Sequence, residues 1–374
     1  MRQENVVSDK MKSGVFVIAE IGKNFIQTED ERPVAEYLEN AKALVRAAKL
    51  AGADAVKFQT HTVEDEQLDI KVTSPHFKGA DRYSWVTRNT KATPFNEFWK
   101  PLKRYCDDEG IIFFSTPMSR GAAQKLLPLD QPIWKVGSGD ILDFVMLEYL
   151  AATKKPIIMS AGMSTLEELD MSINFLKKRN AEIILLHCVS KYPCPPEELH
   201  LATIGFFQKR YPELTIGFSD HSIGIDSALA AVVIGAQVIE KHFSLRRDLY
   251  GADHKVSMTS DELAQLVGGI REFEKNPAIA RAYLSKEIVQ KGMGTAEKVL
   301  QEDEAVFRPF FRKALMAGRD MPAGTVLDMN DIYAMRPQQF AGGLPSERYE
   351  MVLGKKLSRP LKKFDPITAD ILTG

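Results

Sequence analysis

The sequence has few cysteines and no long apolar segment. It holds three cysteines in 374 residues, Cys106, Cys188 and Cys194, without the spacing of a metal-binding motif. An odd number of thiols argues against a disulfide framework, so we expect reduced cysteines in a cytoplasmic protein. Since no apolar run approaches the roughly 20 residues of a membrane span, and the N-terminus lacks the apolar core of a signal peptide, we expect no membrane partner.

The chain also has almost no excess of charge. Its 49 basic and 50 acidic side chains give a net charge of −1, and both signs are interspersed. This balance gives no electrostatic attraction to nucleic acid or to an anionic membrane surface, so we expect neither as a partner. The hydrophobic fraction of 44% is ample for a large core.

Short apolar runs alternate with helical patterns through the first two thirds of the chain. Continuous apolar runs are typical of buried parallel strands. No glycine-rich dinucleotide motif follows the first run, so the pattern favours a TIM (β/α)8 barrel over a doubly wound α/β sheet. The eight predicted strands are 15–20, 55–60, 111–116, 134–139, 156–161, 183–188, 215–220 and 238–243.

The composition changes after the eighth strand. We predict a barrel domain over 1–280, a charged linker over 281–306 and a small β-rich domain over 307–374. The last domain contains a loose internal repeat, because 319–332 and 359–372 share a basic start, a turn and an apolar end. The long polar insertion 61–94 is predicted to be a functional loop or to hold short elements of its own.

Polar side chains gather at the carboxyl ends of the predicted strands, where TIM barrels carry their active sites. Two lysines and three serines form a cationic group suited to phosphate or carboxylate: Lys57, Lys135, Ser138, Ser160 and Ser219. Two histidines on neighbouring strands, His221 and His242 with Glu240 beside them, are spaced to hold one divalent metal ion.

Several of these residues have a structural alternative. Glu20 is a candidate acid or base, or else an ion-pair partner of a lysine. His187 is expected to be a hydrogen-bonded core residue. We expect the remaining loop groups to face solvent: His61, His76, His200 and the acidic run 64–66.

Taken together, the segments at the strand ends resemble the sialic acid synthase family, and the tail resembles its antifreeze-like (SAF) domain. The resemblance rests on AEIGKN at 19–24, KFQT at 57–60, FFSTP at 113–117, KVGSGD at 135–140, PIIMSAGMS at 156–164, LLHCVSKYPCP at 185–195, IGFSDH at 216–221, EKHF at 240–243 and GADHKVSM at 251–258.

The resemblance implies a transferase that condenses phosphoenolpyruvate with an N-acetylmannosamine-like aldose, giving a nonulosonic acid and phosphate by C–O cleavage. It implies Glu20, His221 and His242 as catalytic residues, with a divalent metal on the two histidines, Mn first and Mg or Co next. It also implies a homodimer in which the SAF domain covers the partner's barrel. Phosphoenolpyruvate would be bound by Lys57, Lys135, Ser138, Ser160, Ser190 and Ser219, and the sugar by Gln59, Tyr192, Glu240, Asp253 and Arg336, beside Glu20.

Two positions depart from the family pattern: Phe25 stands where a histidine is common, and Ser190 where an asparagine is common. The acceptor therefore stays open between N-acetylmannosamine, its 6-phosphate and a deoxy diacetamido hexose. Two other functions are also open. One is a Schiff-base aldolase for a 2-keto sugar acid, using Lys57, Lys135 or Lys241. The other is a non-catalytic sugar-binding barrel.

Overall fold

Eight parallel strands form one sheet in the computed structural model, which describes residues 4–73 and 81–374. Their order is β3-β2-β1-β8-β7-β6-β5-β4, and β3 lies beside β4 where the two edges meet, so the sheet curls into a barrel. The predicted TIM barrel is confirmed. The strands are β1 Phe16–Gly22, β2 Ala55–Thr60, β3 Ile112–Pro117, β4 Trp134–Val136, β5 Ile157–Ser160, β6 Ile183–Cys188, β7 Thr215–Asp220 and β8 Val238–His242.

Helices follow the strands and cover the barrel. Within the described residues the α-helices are α1 Glu4–Ser13, α2 Val34–Leu50, α3 Val63–Glu66, α4 Arg82–Ala92, α5 Lys100–Glu109, α6 Arg120–Leu126, α7 Phe144–Ala152, α8 Leu166–Lys177, α9 Ala202–Arg210, α10 Asp226–Ile234, α11 Ala252–Val256, α12 Ser260–Lys275, α13 Pro277–Tyr283, α14 Glu287–Met293, α15 Glu302–Ala305, α16 Arg308–Phe311, α17 Gln338–Ala341 and α18 Tyr349–Val352. A π-helical turn, Phe95–Trp99, precedes α5, and 3₁₀ turns occur at Leu127–Leu129, Ser138–Asp140, Pro196–Glu198, Met329–Asp331, Ser346–Arg348 and Ala369–Ile371.

Strand β4 is shorter than predicted. The apolar run to 139 suggested six residues, but pairing with β5 stops at Val136. Gly137 is still extended, with φ −73° and ψ 158°, and Ser138–Asp140 then forms a 3₁₀ turn. The insertion at 61–94 holds α3 and α4, so it contains elements of its own.

Alternate residues of each strand point into the barrel and form two layers. Near the amino ends of the strands this inner phase is apolar and fully buried, with Phe16, Ile18, Phe114, Ile158 and Ile184 in one cluster. Val7 of α1 packs against the same cluster from below. Towards the carboxyl ends of the strands the inward-facing residues become polar. The barrel therefore has an apolar floor and a polar upper layer.

The C-terminal domain is built from two similar halves. Each contains a pair of antiparallel strands, β9 Ala314–Ala317 with β10 Ile332–Met335, and β11 Lys356–Leu357 with β12 Leu372–Thr373. Met321 of the first half pairs with Leu361 of the second. The internal repeat in the sequence therefore corresponds to a repeated local structure.

The C-terminal domain rests on the barrel of its own chain. Lys313 forms ion pairs of 2.7 Å with Asp143 and 3.0 Å with Asp140, and all three side chains are buried. The Ser346 hydroxyl donates a 2.5 Å hydrogen bond to the carbonyl of Leu142. The domain boundaries and the domain-swapped homodimer stay predictions.

All three cysteines are buried free thiols. Among residues 4–73 and 81–374, no helix has both the length and the apolar character needed to cross a bilayer.

Candidate active site

The polar upper layer of the barrel carries half of the predicted site residues. Their side chains point into the barrel, as those of the apolar floor do, because residues two apart on a strand share a face. Burial leaves each of them no more than a few per cent exposed. The set is Glu20, Lys57, Lys135, Ser160, Ser219, Glu240 and His242.

Charges of opposite sign alternate across this layer. The Lys57 ammonium lies 2.6 Å from Glu20 Oε2 and 3.7 Å from Glu240 Oε2. The Lys135 ammonium lies 3.5 Å from Glu240 Oε1. The order is therefore Glu20, Lys57, Glu240, Lys135, which we call the inner charge array. Glu240, predicted as a sugar-binding residue beside the metal, bridges the two lysines instead.

The pKa values across the inner charge array shift in different directions. Burial alone would raise the pKa of Glu240, but Lys135 and Lys57 outweigh it and lower this pKa to about 2. Burial raises the pKa of Glu20, against the opposing effect of Lys57. Burial lowers the pKa of Lys135, whereas the pKa of Lys57 is raised because Glu20 and Glu240 outweigh its burial. Glu240 is thus the fixed anion, and Glu20 is the carboxyl suited to holding a proton.

Hydroxyl groups surround the two lysines. Lys135 donates a 2.7 Å hydrogen bond to Ser160 Oγ, and Lys57 donates a 3.1 Å bond to Thr116 Oγ1. Ser219 donates a 3.1 Å bond to Glu240. Thr116 was not predicted as a site residue, although its inward-facing position on β3 marks it as one.

Two more serines converge on Gly162, in the loop after β5. A Cβ atom at this glycine would stand 2.3 Å from Ser190 Oγ and 2.7 Å from Ser138 Oγ, so only glycine fits between them. The thiol of Cys188 lies 3.5 Å from Ser138 Oγ and was also missed. Its inward-facing position on β6 is the feature of the sequence that could have identified it as a site residue. Ser138 and Ser190 are thus brought together as predicted.

The two predicted metal-binding histidines face each other, with ring centroids 5.5 Å apart. His221 Nδ1 donates a 2.8 Å hydrogen bond to the carbonyl of Val189, which leaves Nε2 as its free ligating atom. Burial lowers the pKa of His242 to about 4, so this imidazole is neutral, and its buried Nδ1 has no hydrogen-bond partner in the described part of the chain. Within the described residues, no three His, Cys, Asp or Glu side chains group as a metal site, so these histidines fit a metal that takes its other ligands from water and substrate.

Three of the predicted acceptor residues lie near Glu20 or the histidine pair: Gln59, Asp253 and Tyr192. Gln59 Nε2 donates a 2.9 Å bond to Glu20 Oε1. A Cβ atom at Gly22, whose φ is +54°, would stand 3.1 Å from Glu20 Oε1 and 3.7 Å from Asp253 Oδ2. The Tyr192 ring lies 4.0 Å from that of His221, centroid to centroid. These groups line one wall beside the histidine pair.

Lys23 was not identified from the sequence. Its buried ammonium donates a 2.6 Å hydrogen bond to the carbonyl of Gln59, and burial lowers its pKa to about 7. Phe25, the departure from the family pattern, packs in the core against Phe58 and Phe98, with ring centroids 6.2 and 4.8 Å away. That substitution therefore adds to the packing behind β2 and places no ring among the acceptor residues.

Arg336 is held at the contact between the two domains. Its guanidinium forms an ion pair with Asp140, and its backbone N–H donates to the carbonyl of Glu66 at 2.9 Å. The side chain is fully buried, and its Nε and Nη1 lack hydrogen-bond partners among the described residues. Its role toward the sugar stays a prediction.

The solvent-facing assignment of the acidic run and of His61 is wrong. His61 is fully buried, and its Nδ1 lies 2.7 Å from the Glu66 carboxylate. Asp65 accepts a 2.7 Å bond from the hydroxyl of Ser119 and is also buried. Of the run, Glu64 is exposed. The helix α3 turns the other two carboxylates inward. Glu66 meets His61 and Arg82 there, and Asp65 accepts from the Ser119 hydroxyl and the Gly121 N–H.

His187, His200 and the third candidate lysine lie outside the inner layer. His187 Nε2 donates to the carbonyl of Leu199 at 2.7 Å and has the outer phase of β6, as expected for a core residue. His200 Nδ1 accepts a 3.0 Å bond from the backbone N–H of Thr295, and His76 lies outside the described residues. Lys241 also has the outer phase and pairs with Asp220 at 2.7 Å.

Comparison with known proteins gives matches over nearly the whole chain. The NeuB family profile matches residues 44–279, and the SAF domain profile matches 312–373. The chain is 31% identical to N-acetylneuraminate-9-phosphate synthase of Homo sapiens, over 96% of this chain and 92% of that protein. It is 32% identical to N,N'-diacetyllegionaminic acid synthase of Campylobacter jejuni, over 86% of this chain and 92% of that protein. Its fold matches the crystal structure of spore coat polysaccharide biosynthesis protein SpsE from Bacillus subtilis, with a TM-score of 0.75, 30% identity and 96% of both chains covered.

Proposed function

The chain belongs to the NeuB family and carries a C-terminal SAF domain, and from this premise we propose that it condenses phosphoenolpyruvate with an amino-sugar aldose. The products are a nonulosonic acid and inorganic phosphate, so the chain is a transferase that forms a carbon–carbon bond. The observation that supports the proposal is the inner charge array beside the histidine pair, since two lysines suited to an anion lie next to two histidines that could ligate a metal.

The inner charge array supports the binding of phosphoenolpyruvate. Lys57 and Lys135 bring two ammonium groups into a buried layer, and the Glu240 carboxylate lies between them. Lys57 and Lys135 then bind the carboxylate and phosphate of the substrate, with the hydroxyls of the surrounding serines as further donors. Buried donors that already point at the anion need little reorganisation when it binds.

The histidine pair supports a divalent metal ion, which we propose to be Mn²⁺, with Mg²⁺ or Co²⁺ as substitutes. His221 offers Nε2, because its Nδ1 is fixed on a backbone carbonyl, and His242 is neutral and can ligate. A bound metal of this kind polarises the carbonyl of an open-chain aldose as a Lewis acid.

Glu20 supports the proton transfers on the acceptor side. C3 of phosphoenolpyruvate bonds to the aldehyde carbon, and the raised pKa of Glu20 keeps a proton available for the oxygen that becomes a hydroxyl. Water adds at C2 and returns a proton to Glu20. The C2–O bond to phosphate then breaks, which yields the keto acid. Gln59 orients Glu20 through its 2.9 Å hydrogen bond.

The lysine aldolase alternative has less support. Lys57 is held protonated between two carboxylates, and Lys241 lies on the outer face of β8 in an ion pair. Lys135, whose pKa is lowered, is the lysine that such an enzyme would use. Reduction with borohydride in the presence of pyruvate would attach three carbons to it, whereas the proposed enzyme stays unmodified.

The deciding experiment measures phosphate release from phosphoenolpyruvate with Mn²⁺. The acceptors are N-acetylmannosamine, its 6-phosphate and a 2,4-diacetamido-2,4,6-trideoxy hexose, each with and without a chelator. We expect release with one acceptor and loss of that release with chelator. Absence of release with every aldose would refute the synthase, and release that persists with chelator would refute the metal site.

A further inference from the structure

A carboxylate from the linker enters the wall of the proposed phosphoenolpyruvate pocket. Glu304 lies on the short helix α15, far along the chain from the barrel strands, and is 1% exposed. Its Oε1 accepts the backbone N–H of Ser190 at 2.7 Å and that of Met163 at 3.0 Å. One oxygen atom thereby joins the loop after β5 to the loop after β6.

These loops bear directly on the converging serines. Met163 follows Gly162, where Ser190 Oγ and Ser138 Oγ come together. The Ser190 N–H that Glu304 accepts belongs to the same residue whose hydroxyl reaches Gly162. A shift of either loop therefore changes the gap in which the two hydroxyls stand.

The linker also fixes an unfavourable backbone conformation. Met163 has a φ of +50°, in the left-handed region that residues with a side chain seldom adopt. Glu304 accepts its N–H, and Arg312 donates a 2.7 Å hydrogen bond to its carbonyl. The two peptide groups beside this residue are therefore held from outside the barrel, one by Glu304 of the linker and the other by Arg312 of the C-terminal domain.

We propose that Glu304 is a positioning residue for phosphoenolpyruvate binding, acting through the backbone of Met163 and Ser190. The inference rests on the proposed function and adds to it a part of the chain outside the barrel. Glu304 donates nothing to the substrate. It holds the loops so that Ser138 and Ser190 present their hydroxyls to the anion, whereas the acceptor residues Glu20 and Gln59 stand on β1 and β2, away from these loops.

The test compares steady-state kinetics of Glu304→Ala, Glu304→Gln and a control, Asp303→Asn. Asp303 lies on the same helix and pairs with Lys191 at 2.7 Å, but it is 63% exposed, so it matches Glu304 in charge and place. We expect Glu304→Ala to raise the KM for phosphoenolpyruvate at least about tenfold. The KM for the aldose should rise by a smaller factor, because Glu20 and Gln59 stand on other strands and only Tyr192 shares the loop with Ser190. Glu304→Gln should remain near wild type, because its amide oxygen still accepts both N–H groups, and the control should be unchanged.

A second substitution separates positioning from general loss of structure. Glycine adopts φ +50° freely, so adding Met163→Gly to Glu304→Ala should restore part of the affinity for phosphoenolpyruvate. If Glu304→Ala does not fold by circular dichroism, Glu304→Asp replaces it, since the shorter side chain cannot reach both N–H groups. An unchanged KM for phosphoenolpyruvate in the folded variant would overturn the inference, as would an equal rise in both KM values. Wild-type protein that releases no phosphate would instead refute the proposed function.

Discussion

Substitution of Glu240 by glutamine tests the electrostatics of the inner charge array. Glu240 is 5% exposed, and its pKa falls from an ordinary value of 4.5 to about 2 because two lysines flank it. Each pKa unit corresponds to about 1.4 kcal/mol, so the ionised carboxylate adds about 3 kcal/mol to the free energy of unfolding at neutral pH. The contribution is complete above pH 4.5 and disappears as the pH falls towards 2, because the folded-state pKa is depressed.

Urea denaturation of wild-type protein and Glu240→Gln at two pH values measures this contribution to the free energy of unfolding. We expect the variant to lose about 3 kcal/mol at pH 7 and about 2 kcal/mol near pH 3.5, where the unfolded carboxyl is largely protonated. Replacing Lys135 by methionine in the same chain should recover part of the loss, because removing both partners leaves fewer buried charges unpaired. Asp248→Asn is the control, since its ion pair with Arg246 is on the surface.

Two results would refute this reasoning. A loss below about 1 kcal/mol at pH 7 would mean that solvent reaches the array and screens its charges. The same loss at both pH values would mean that the cost arises from packing, since packing does not follow the protonation of one carboxyl.

Three further substitutions test other parts of the site. Lys135→Met should lower kcat/KM for phosphoenolpyruvate by about 100-fold or more, because a charge-assisted contact to the anion is lost. A decrease under about threefold in steady-state assays would contradict its role. His242→Ala should abolish turnover and weaken Mn²⁺ binding in a spin-resonance titration while the circular dichroism spectrum is retained, and normal turnover would remove the metal assignment. Arg336→Met should reduce stability by about 2 kcal/mol, because the buried Asp140 keeps Lys313 alone as a partner. If the KM for the aldose does not change as well, Arg336 is a structural residue only.

The barrel could be predicted because its strands are written in the sequence as apolar runs of similar length. Residues two apart on one strand share a face. A polar residue two positions after an inward-facing apolar residue therefore marks the mouth of the barrel. This phase correctly placed Glu20, Lys57, Lys135 and Ser219. The same phase marks Thr116 and Cys188, which were given no role in the predicted site.

The partner of each charge could not be predicted, because pairing depends on distances across the barrel. Glu240 was assigned to the metal side since it lies two residues from His242. The curvature of the sheet instead turns its carboxylate toward β2 and β4, where the lysines stand. The burial of His61 and Glu66 was missed for a related reason. A polar run in an insertion resembles a solvated loop, and only the packing of the C-terminal domain and α4 over it encloses both side chains.

The inner charge array also has a consequence for how the chain folds and is degraded. It joins Glu20 on the first strand to Glu240 on the eighth through Lys57, so its members are far apart along the chain and meet only when the barrel closes. No proteolytic fragment that lacks either end of the barrel retains it. A ligand bound to this layer should consequently protect the barrel as a single unit, and slow its cleavage by proteases throughout, rather than shield one loop.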